Sequence, residues 1–168
     1  MPTYFIGYKA PLIEFDKCVR EPYRLIPLEQ RHLTLLYFGF LKKHEIEVLI
    51  KKVKSVKAER VTVSFNSLTA LPSLQKPKYL AAIPDYKGRN RLVKIRESVE
   101  GLFADFTKEK YEIFNPHVSI AYTRSKPTIE LQKKASKSIK NCKRVKETLV
   151  FDRLLVFKAE KGKITVIV

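Results

Sequence analysis

Cysteine is scarce in this sequence, and its two copies lie far apart along the chain. Cys18 and Cys142 form neither a C-x-x-C pair nor a cysteine–histidine spacing of the kind that holds a metal ion. The shortage excludes a metal centre built on several thiolates. We therefore expect two free thiols in a reducing compartment.

Long apolar runs and a leader segment are also missing. No apolar run approaches the ~18 residues that a membrane-spanning helix needs, and the first residues contain no apolar signal-peptide core. We expect a soluble, cytoplasmic protein with no membrane partner. At 168 residues and 45% hydrophobic content, the chain can bury the core of one domain or of two small lobes.

Acidic residues are few relative to basic ones. The chain has 34 Lys and Arg against 17 Asp and Glu, which gives a net charge of +17. Lys-rich surfaces also occur in thermophile proteins, but there Glu normally rises in step with Lys. The excess of positive charge therefore predicts a polyanionic partner, with nucleic acid ahead of a membrane surface.

Histidine occurs only three times, and two of the three stand in the same local pattern. His32 precedes Thr34 in an apolar, strand-forming stretch, and His117 precedes Ser119 in another. The third, His44, lies in a charged segment and is expected on the solvated face of a helix. One such motif alone could be a structural histidine, but the repetition favours a paired function.

Alternation along a strand predicts which side chains share a face with each histidine. Thr34 and Leu36 should lie on the His32 face, and Tyr37 on the opposite face. In the second stretch, Ser119 should lie on the His117 face and Tyr122 on the other face. Each histidine thus has a hydroxyl beside it on an otherwise apolar strand.

Hydrophobic periodicity predicts an α+β protein. Predicted strands are 3–9, 32–39, 61–65, 79–83, 117–123, 145–156 with a break at 152–153, and 163–168, the last two joined by a hairpin near 161–162. Predicted helices are 42–56, 90–106 and 127–140, with at most a short helix at 12–19. The proline-containing segment 68–78 is expected to be a turn-rich connection.

The two halves of the chain, roughly 1–75 and 76–168, share one order of elements. Each has a strand, a histidine-bearing strand, an amphipathic helix and a further strand. The distance from the histidine to the following strand is also nearly equal, from His32 to Val61 and from His117 to Val145. We expect one domain of two intertwined lobes, related by a pseudo-twofold, with the histidine strands facing each other across a cleft.

Two imidazoles across a cleft suit in-line displacement at phosphorus. Free imidazole titrates near ~6.5, so one ring can accept a proton from the attacking oxygen while the other protonates the departing oxygen. Hydroxyls beside them can donate to the non-bridging phosphate oxygens. A zinc site fits less well, because neither motif has further ligands nearby. A serine nucleophile lacks the G-x-S-x-G elbow.

The paired motif resembles the 2H phosphoesterase superfamily, and within it the LigT-like RNA 2′,3′-cyclic phosphodiesterases, also called 2′-5′ RNA ligases. The first block is His32-Leu33-Thr34-Leu35 followed by Tyr37 and Gly39, and the second is Asn115-Pro116-His117-Val118-Ser119-Ile120-Ala121. The resemblance extends over nearly the whole chain. It implies a bilobal α+β fold of two antiparallel-rich sheets facing a central cleft, with helices outside and no metal or other cofactor.

Carried over residue by residue, the resemblance assigns a role to each polar group. His32 becomes the proton donor to the leaving 3′ oxygen, and His117 the base that activates water, giving a 2′-phosphate. Thr34 and Ser119 bind the phosphate, with Ser119 in place of the commoner Thr. The family often has an Arg where Tyr122 stands.

Further residues are candidates for binding substrate. Arg124 could supply the positive charge that is missing at Tyr122, and Tyr37, Phe38 and Tyr122 are either core residues or platforms for a base. The expected partner is RNA with a 2′,3′-cyclic phosphate end, bound by a monomer.

Two other functions remain open. A 5′-hydroxyl could replace water and form a 2′-5′ linkage by the same displacement. Alternatively, the chain is a catalytically silent RNA-binding module, for which salt-sensitive binding without turnover is expected. An unrelated α+β protein with two structural histidines is the remaining interpretation.

Overall fold

The computed structural model describes residues 1–57, 59–106 and 114–168, which contain nine strands and three α-helices. The elements are β1 (Thr3–Lys9), β2 (Arg24–Leu25), β3 (His32–Gly39), α1 (Lys43–Ser55), β4 (Val61–Pro72), β5 (Pro77–Pro84), α2 (Tyr86–Leu102), β6 (Val118–Tyr122), α3 (Ile129–Asn141), β7 (Glu147–Phe151), β8 (Leu155–Glu160) and β9 (Lys163–Val166). Short 3₁₀ helices lie at Glu14–Cys18, Leu28–Gln30 and Ala104–Phe106. The predicted α+β class is confirmed.

The strands form one antiparallel path in the order β7-β4-β5-β6-β3-β1-β8-β9, with β2 paired to β6. Within this path β3 and β6 are joined through the single residue pair Leu33–Val118. The sheet therefore consists of two groups that meet at the two histidine strands: β7-β4-β5-β6 with β2 on its edge, and β3-β1-β8-β9. Pairing crosses the midpoint of the sequence, since β4 pairs with β5 and β7, and β1 pairs with β8.

The helices cover one face of this sheet. The main core includes Leu49 and Val53 of α1, Leu92 of α2, and Leu33 and Val118 of the joining pair. A smaller cluster packs Leu131 and Ala135 of α3 against the neighbouring end of β5 and β6. Side chains that alternate with Leu33 and Val118 point away from the helices. The opposite face of the sheet is thus left for the candidate site.

The strand β4 is longer than periodicity predicted. The segment 68–78 was expected to be a turn-rich connection, but Leu68 and Ala70 are buried and pair with β5. Only residues 73–76 form the turn between the two strands. Prolines at 72 and 77 suggested an irregular segment, but both stand at strand ends, where a missing N–H is tolerated.

Helix boundaries differ from the predicted ones by a few residues. The second helix starts at Tyr86 rather than near residue 90, because the Asp85 side chain caps it by accepting from the Gly88 N–H at 2.8 Å. Helix α3 starts after Thr128, whose hydroxyl accepts from Leu131 N. The predicted turn at 161–162 is confirmed, with Lys161 and Gly162 at φ 51° and 74°.

The expectation of two free thiols is wrong. Cys18 and Cys142 form a disulfide that joins the end of the Glu14–Cys18 turn to the C-terminus of α3. Both residues are buried. Their sequence separation of 124 concealed this contact, because separation along a chain does not limit proximity in the fold. None of the helices in the described ranges has the length and apolar character needed to cross a membrane.

Candidate active site

The two motif histidines are held by identical hydrogen bonds. Nδ1 of His32 lies 2.8 Å from the carbonyl oxygen of Gln30, and Nδ1 of His117 lies 2.8 Å from that of Asn115. A carbonyl oxygen only accepts, so each Nδ1 carries a hydrogen. In both rings Nε2 is therefore the atom that gains or loses a proton. The bond to the residue two positions earlier fixes the ring orientation in each motif.

The β3–β6 pairing brings the two motifs together. Since Leu33 pairs with Val118 in antiparallel register, His32 lies across from Ser119 and Thr34 lies across from His117. Directly opposite Cβ atoms in such a pair are about 4.5–5.5 Å apart, and diagonal ones about 7–8 Å. Each imidazole thus has its own motif's hydroxyl two residues on and the other motif's hydroxyl beside it. Alternation about this pair places all four groups on the face opposite Leu33 and Val118.

The environment of His32 disfavours its charged form. Its ring centroid lies 4.8 Å from that of Phe5 and 5.6 Å from that of Phe157. Burial lowers the pKa of His32 from its ordinary value of 6.5, the hydrogen bond to the Gln30 carbonyl opposes this shift, and the charge of His117 lowers the pKa further. These influences together favour the neutral form of His32 in the free protein.

Both histidine strands contain a bulge at the third residue after the histidine. In β3 the register with β1 skips Leu35, and in β6 the register with β5 skips Ile120. Beyond an inserted residue, the alternation of faces is inverted. Leu36 is therefore buried in the core, whereas Tyr37 and Tyr122 lie on the histidine face. The predicted faces of Leu36, Tyr37 and Tyr122 were wrong for this reason.

A glycine and an arginine accommodate the bulge in β3. A Cβ on Gly7 would lie 2.1 Å from the Leu33 carbonyl oxygen, so only glycine fits opposite the bulge. Nε of Arg96 on α2 donates to the carbonyl of the bulge residue Leu35 at 3.1 Å. The guanidinium also lies 5.1 Å from the ring of Phe114. Sequence reasoning missed Arg96, but Gly7 inside a predicted strand was a usable signal of a bulge.

A second arginine fixes the segment in front of β3. Arg31 is buried, and it binds the carboxylate of Asp16 at 2.6 Å and donates Nε to the carbonyl of Ile26 at 3.0 Å. It also donates to the carbonyl of Leu12. These bonds hold residues 12–31 against the start of β3, next to the carbonyl that orients His32. Nothing in the sequence separated Arg31 from the other cations.

A cleft of about 1030 Å³ opens on the histidine face. Of the predicted site residues, four line this cleft: His32, Ser119, Tyr122 and Arg124. His117 lines a smaller depression of about 220 Å³, together with Arg89 and residues of β4 and β5. The structure thus brings Arg124 to the same cleft as His32 and Ser119.

The remaining aromatic candidates lie elsewhere. Tyr37 packs against the cluster of Phe5, Leu155 and Phe157, on the histidine face. Phe38 is a core residue, in edge contact with the rings of Phe103 and Phe106. His44 is exposed on α1, as predicted. In the parts of the chain that the structure describes, no group of three or more His, Cys, Asp or Glu is placed to hold a metal ion.

Known proteins resemble this chain in sequence and in fold. A family model described as the 2′-5′ RNA ligase superfamily matches residues 15–162. A protein of Aeropyrum pernix named RNA 2′,3′-cyclic phosphodiesterase is 28% identical over 102 residues, which are 60% of this chain. The matched stretch spans 57% of that relative's own length.

Solved structures share the fold over the whole chain. A crystal structure of a Thermus thermophilus protein superposes with a TM-score of 0.69 at 18% identity, covering 99% of this chain and 95% of that one. E. coli LigT complexed with 3′-AMP gives 0.65 at 12% identity, covering 99% and 94%. Kluyveromyces marxianus Usb1 gives 0.61 at 10% identity, covering 98% and 96%.

Proposed function

The chain belongs to the 2′-5′ RNA ligase superfamily, and on this basis we propose that it is a metal-independent phosphodiesterase that converts RNA 2′,3′-cyclic phosphate ends to 2′-phosphates. The observation that carries the proposal is the matched orientation of two imidazoles, each bonded through Nδ1 to the carbonyl two residues earlier. The name of the Aeropyrum pernix relative supports the same substrate.

In the proposed reaction, water attacks phosphorus and the bond from phosphorus to the 3′ oxygen breaks. Nε2 of His117 takes a proton from the water, and Nε2 of His32 gives one to the departing 3′ oxygen. The hydroxyls of Thr34 and Ser119 donate to the non-bridging oxygens, where negative charge builds up. The net change is the addition of one water molecule.

The lowered pKa of His32 has a consequence for this scheme. His32 is neutral before substrate binds, so it must take up a proton to act as the donor. An anionic phosphodiester beside the ring favours the imidazolium and raises its pKa. Substrate binding at pH 7 is therefore coupled to proton uptake at His32.

Product analysis on a short RNA ending in a 2′,3′-cyclic phosphate, in the presence of EDTA, tests the proposal. We expect the 2′-phosphate, and we expect His32→Ala and His117→Ala each to lower kcat by roughly 10²–10⁴. The exposed His44 provides a matched control, since His44→Ala should retain wild-type turnover. Turnover that survives both motif substitutions would refute the assignment.

The same experiment separates the other candidate functions. Adding a 5′-hydroxyl RNA strand tests for a 2′-5′ linkage, which the family description favours. Salt-sensitive RNA binding without either product would indicate a silent RNA-binding module.

We propose that the protein acts as a monomeric single domain, because one chain supplies all four polar groups. We place it in the cytoplasm, because the proposed substrate is RNA.

A further inference from the structure

The large cleft continues well beyond the catalytic pair. On the histidine face of the sheet, Ser119 lies opposite Ala81, and further along the same two strands Tyr122 pairs directly with Tyr79. Two to three residues of strand separate Ser119 from Tyr122, a distance of about 7–10 Å. Tyr79 and Tyr122 are both half-buried and both line the cleft. A pair of aromatic rings therefore lies about 7–10 Å along the sheet from Ser119, the residue assigned to the phosphate.

Positive charge surrounds this aromatic pair. Nζ of Lys78 lies 5.4 Å from the centre of the Tyr79 ring, and exposed Lys76 and Arg124 line the same cleft. None of the described residues that line the cleft is acidic. Cations beside stackable rings are the features that bind single-stranded nucleic acid without regard to sequence. A neutral ligand would make no use of these charges.

The size of the cleft exceeds the need of one nucleoside. Its volume of about 1030 Å³ is at the upper end of the roughly 300–1,000 Å³ that pockets for a single small ligand provide. A cyclic phosphate is the 3′ terminus of its strand, so every further nucleotide lies on the 5′ side. His32, assigned to the leaving 3′ oxygen, stands in the lining of this cleft. The rest of the RNA is therefore directed into it.

We propose that this cleft is a subsite for the RNA strand 5′ of the cyclic phosphate, which rests on the function proposed above. Tyr79 and Tyr122 stack on a base that precedes the terminal nucleotide, and Lys76, Lys78 and Arg124 bind the phosphates. The substrate is then the end of an oligonucleotide, and a nucleoside 2′,3′-cyclic phosphate fills only part of the site.

The ratio of kcat/KM for two substrates tests this subsite. The substrates are a five-nucleotide RNA ending in a cyclic phosphate and the corresponding mononucleoside 2′,3′-cyclic phosphate. Loss of one stacked base costs roughly 5- to 150-fold in affinity, so the wild-type ratio should exceed about 10. It should fall toward one in Tyr79→Ala and in Lys76→Ala/Lys78→Ala, and Tyr79→Phe, which keeps a ring, should preserve it.

A control variant removes two cations from the other side of the molecule. Lys51 and Lys54 are exposed on α1, which packs on the core face of the sheet. Lys51→Ala/Lys54→Ala should leave the ratio at its wild-type value. Because each value is a ratio within one protein, partial unfolding of a variant cancels.

The outcomes separate this inference from the proposed function. A wild-type ratio near one, or equal losses on both substrates in Tyr79→Ala, would overturn the subsite while the phosphodiesterase stands. If neither substrate is turned over, the proposed function fails. Fluorescence anisotropy with the five-nucleotide RNA carrying a 2′-phosphate then decides the subsite. Weaker binding in Tyr79→Ala supports it, and unchanged binding refutes it.

Discussion

The imidazole of His32 lies against two phenylalanine rings, Phe5 and Phe157. Phe5 and Phe157 stack on each other at 5.0 Å and exclude water from one side of the histidine. Burial is the largest influence on the pKa of His32 and lowers it. The aromatic wall formed by Phe5 and Phe157 therefore favours the neutral form of His32.

Truncation of this wall should raise the pKa of His32. In Phe157→Ala water reaches the ring, the imidazolium is less disfavoured, and the pKa returns toward 6.5. An NMR titration of the imidazole proton chemical shifts measures the pKa of His32 directly. In the pH profile of kcat/KM, the limb that reports His32 should move to higher pH by the same amount.

Phe151→Ala is the matched control for this measurement. Phe151 is equally buried but contacts Tyr8 and Phe65 rather than His32. It should lose comparable stability, about 3–5 kcal/mol for a buried phenylalanine, without moving the titration of His32. An unchanged or lower His32 pKa in Phe157→Ala would contradict the role given to burial.

At the scale of elements, helix α2 connects the two histidine motifs through Arg96. Its Nε binds the carbonyl of Leu35, which the bulge removes from regular pairing, and its guanidinium covers Phe114. The next residue, Asn115, provides the carbonyl that orients His117. One side chain thus contacts the bulge of the first motif and the segment that leads into the second.

Substitution of Arg96 should lower kcat more than it raises KM. In Arg96→Met the Leu35 carbonyl loses its donor, a cost of about 1–3 kcal/mol for a buried acceptor. Small shifts of catalytic groups act mainly on the transition state and can cost up to roughly 10²-fold in rate. Arg96→Lys, which keeps a donor, should recover part of the loss.

Arg91 on the same helix gives the comparison for Arg96→Met. It donates to the carbonyl of Thr62 on β4 at 2.9 Å and contacts neither motif. Steady-state kinetics of Arg91→Met should match the wild type, because this exposed hydrogen bond lies outside both motifs. Equal kcat losses in the two variants would show that Arg96 acts only through stability.

These elements also show how much of the fold and of the site could be predicted from the sequence. Periodicity located β1 and α1 closely. The pattern His-x-Thr/Ser predicted a shared site, and of its four polar groups His32 and Ser119 line the large cleft. The bulges escaped prediction because alternation assumes an unbroken ladder, and Leu35 and Ile120 resemble any other apolar strand residue. Arg31 and Arg96 were hidden among 34 basic residues, since only tertiary contacts distinguish a buried arginine from a solvated one.

At the scale of the whole molecule, the segment before β3 is fastened to distant parts of the chain. Glu147 accepts from the backbone N–H groups of Ile13 and Glu14 at 2.8 Å, Asp16 binds Arg31, and Cys18 is bonded to Cys142. The disulfide links residues that are 124 positions apart, so it encloses β2 to α3, with both histidines. The bond therefore removes far more conformational freedom from the unfolded chain than from the folded one.

Breaking this disulfide should therefore destabilise the fold without altering the site. The chain-entropy model gives about 4.7 kcal/mol for a loop of about 100 residues. The midpoint of urea unfolding should then be about 2 M lower with reductant than without it. This follows from an unfolding slope of roughly 1–3 kcal/mol per molar of urea. Thiol titration in denaturant without reductant should find no free thiol.

The double variant Cys18→Ala/Cys142→Ala supplies the reference state for this comparison. Its midpoint should not respond to reductant, and where it is folded its kcat should equal that of the wild type, because neither sulfur lies among the residues that line the cleft. Two titratable thiols per wild-type chain, or coincident unfolding curves with and without reductant, would contradict the bond. The site would then rest on Arg31 and Glu147 alone to hold the segment that orients His32.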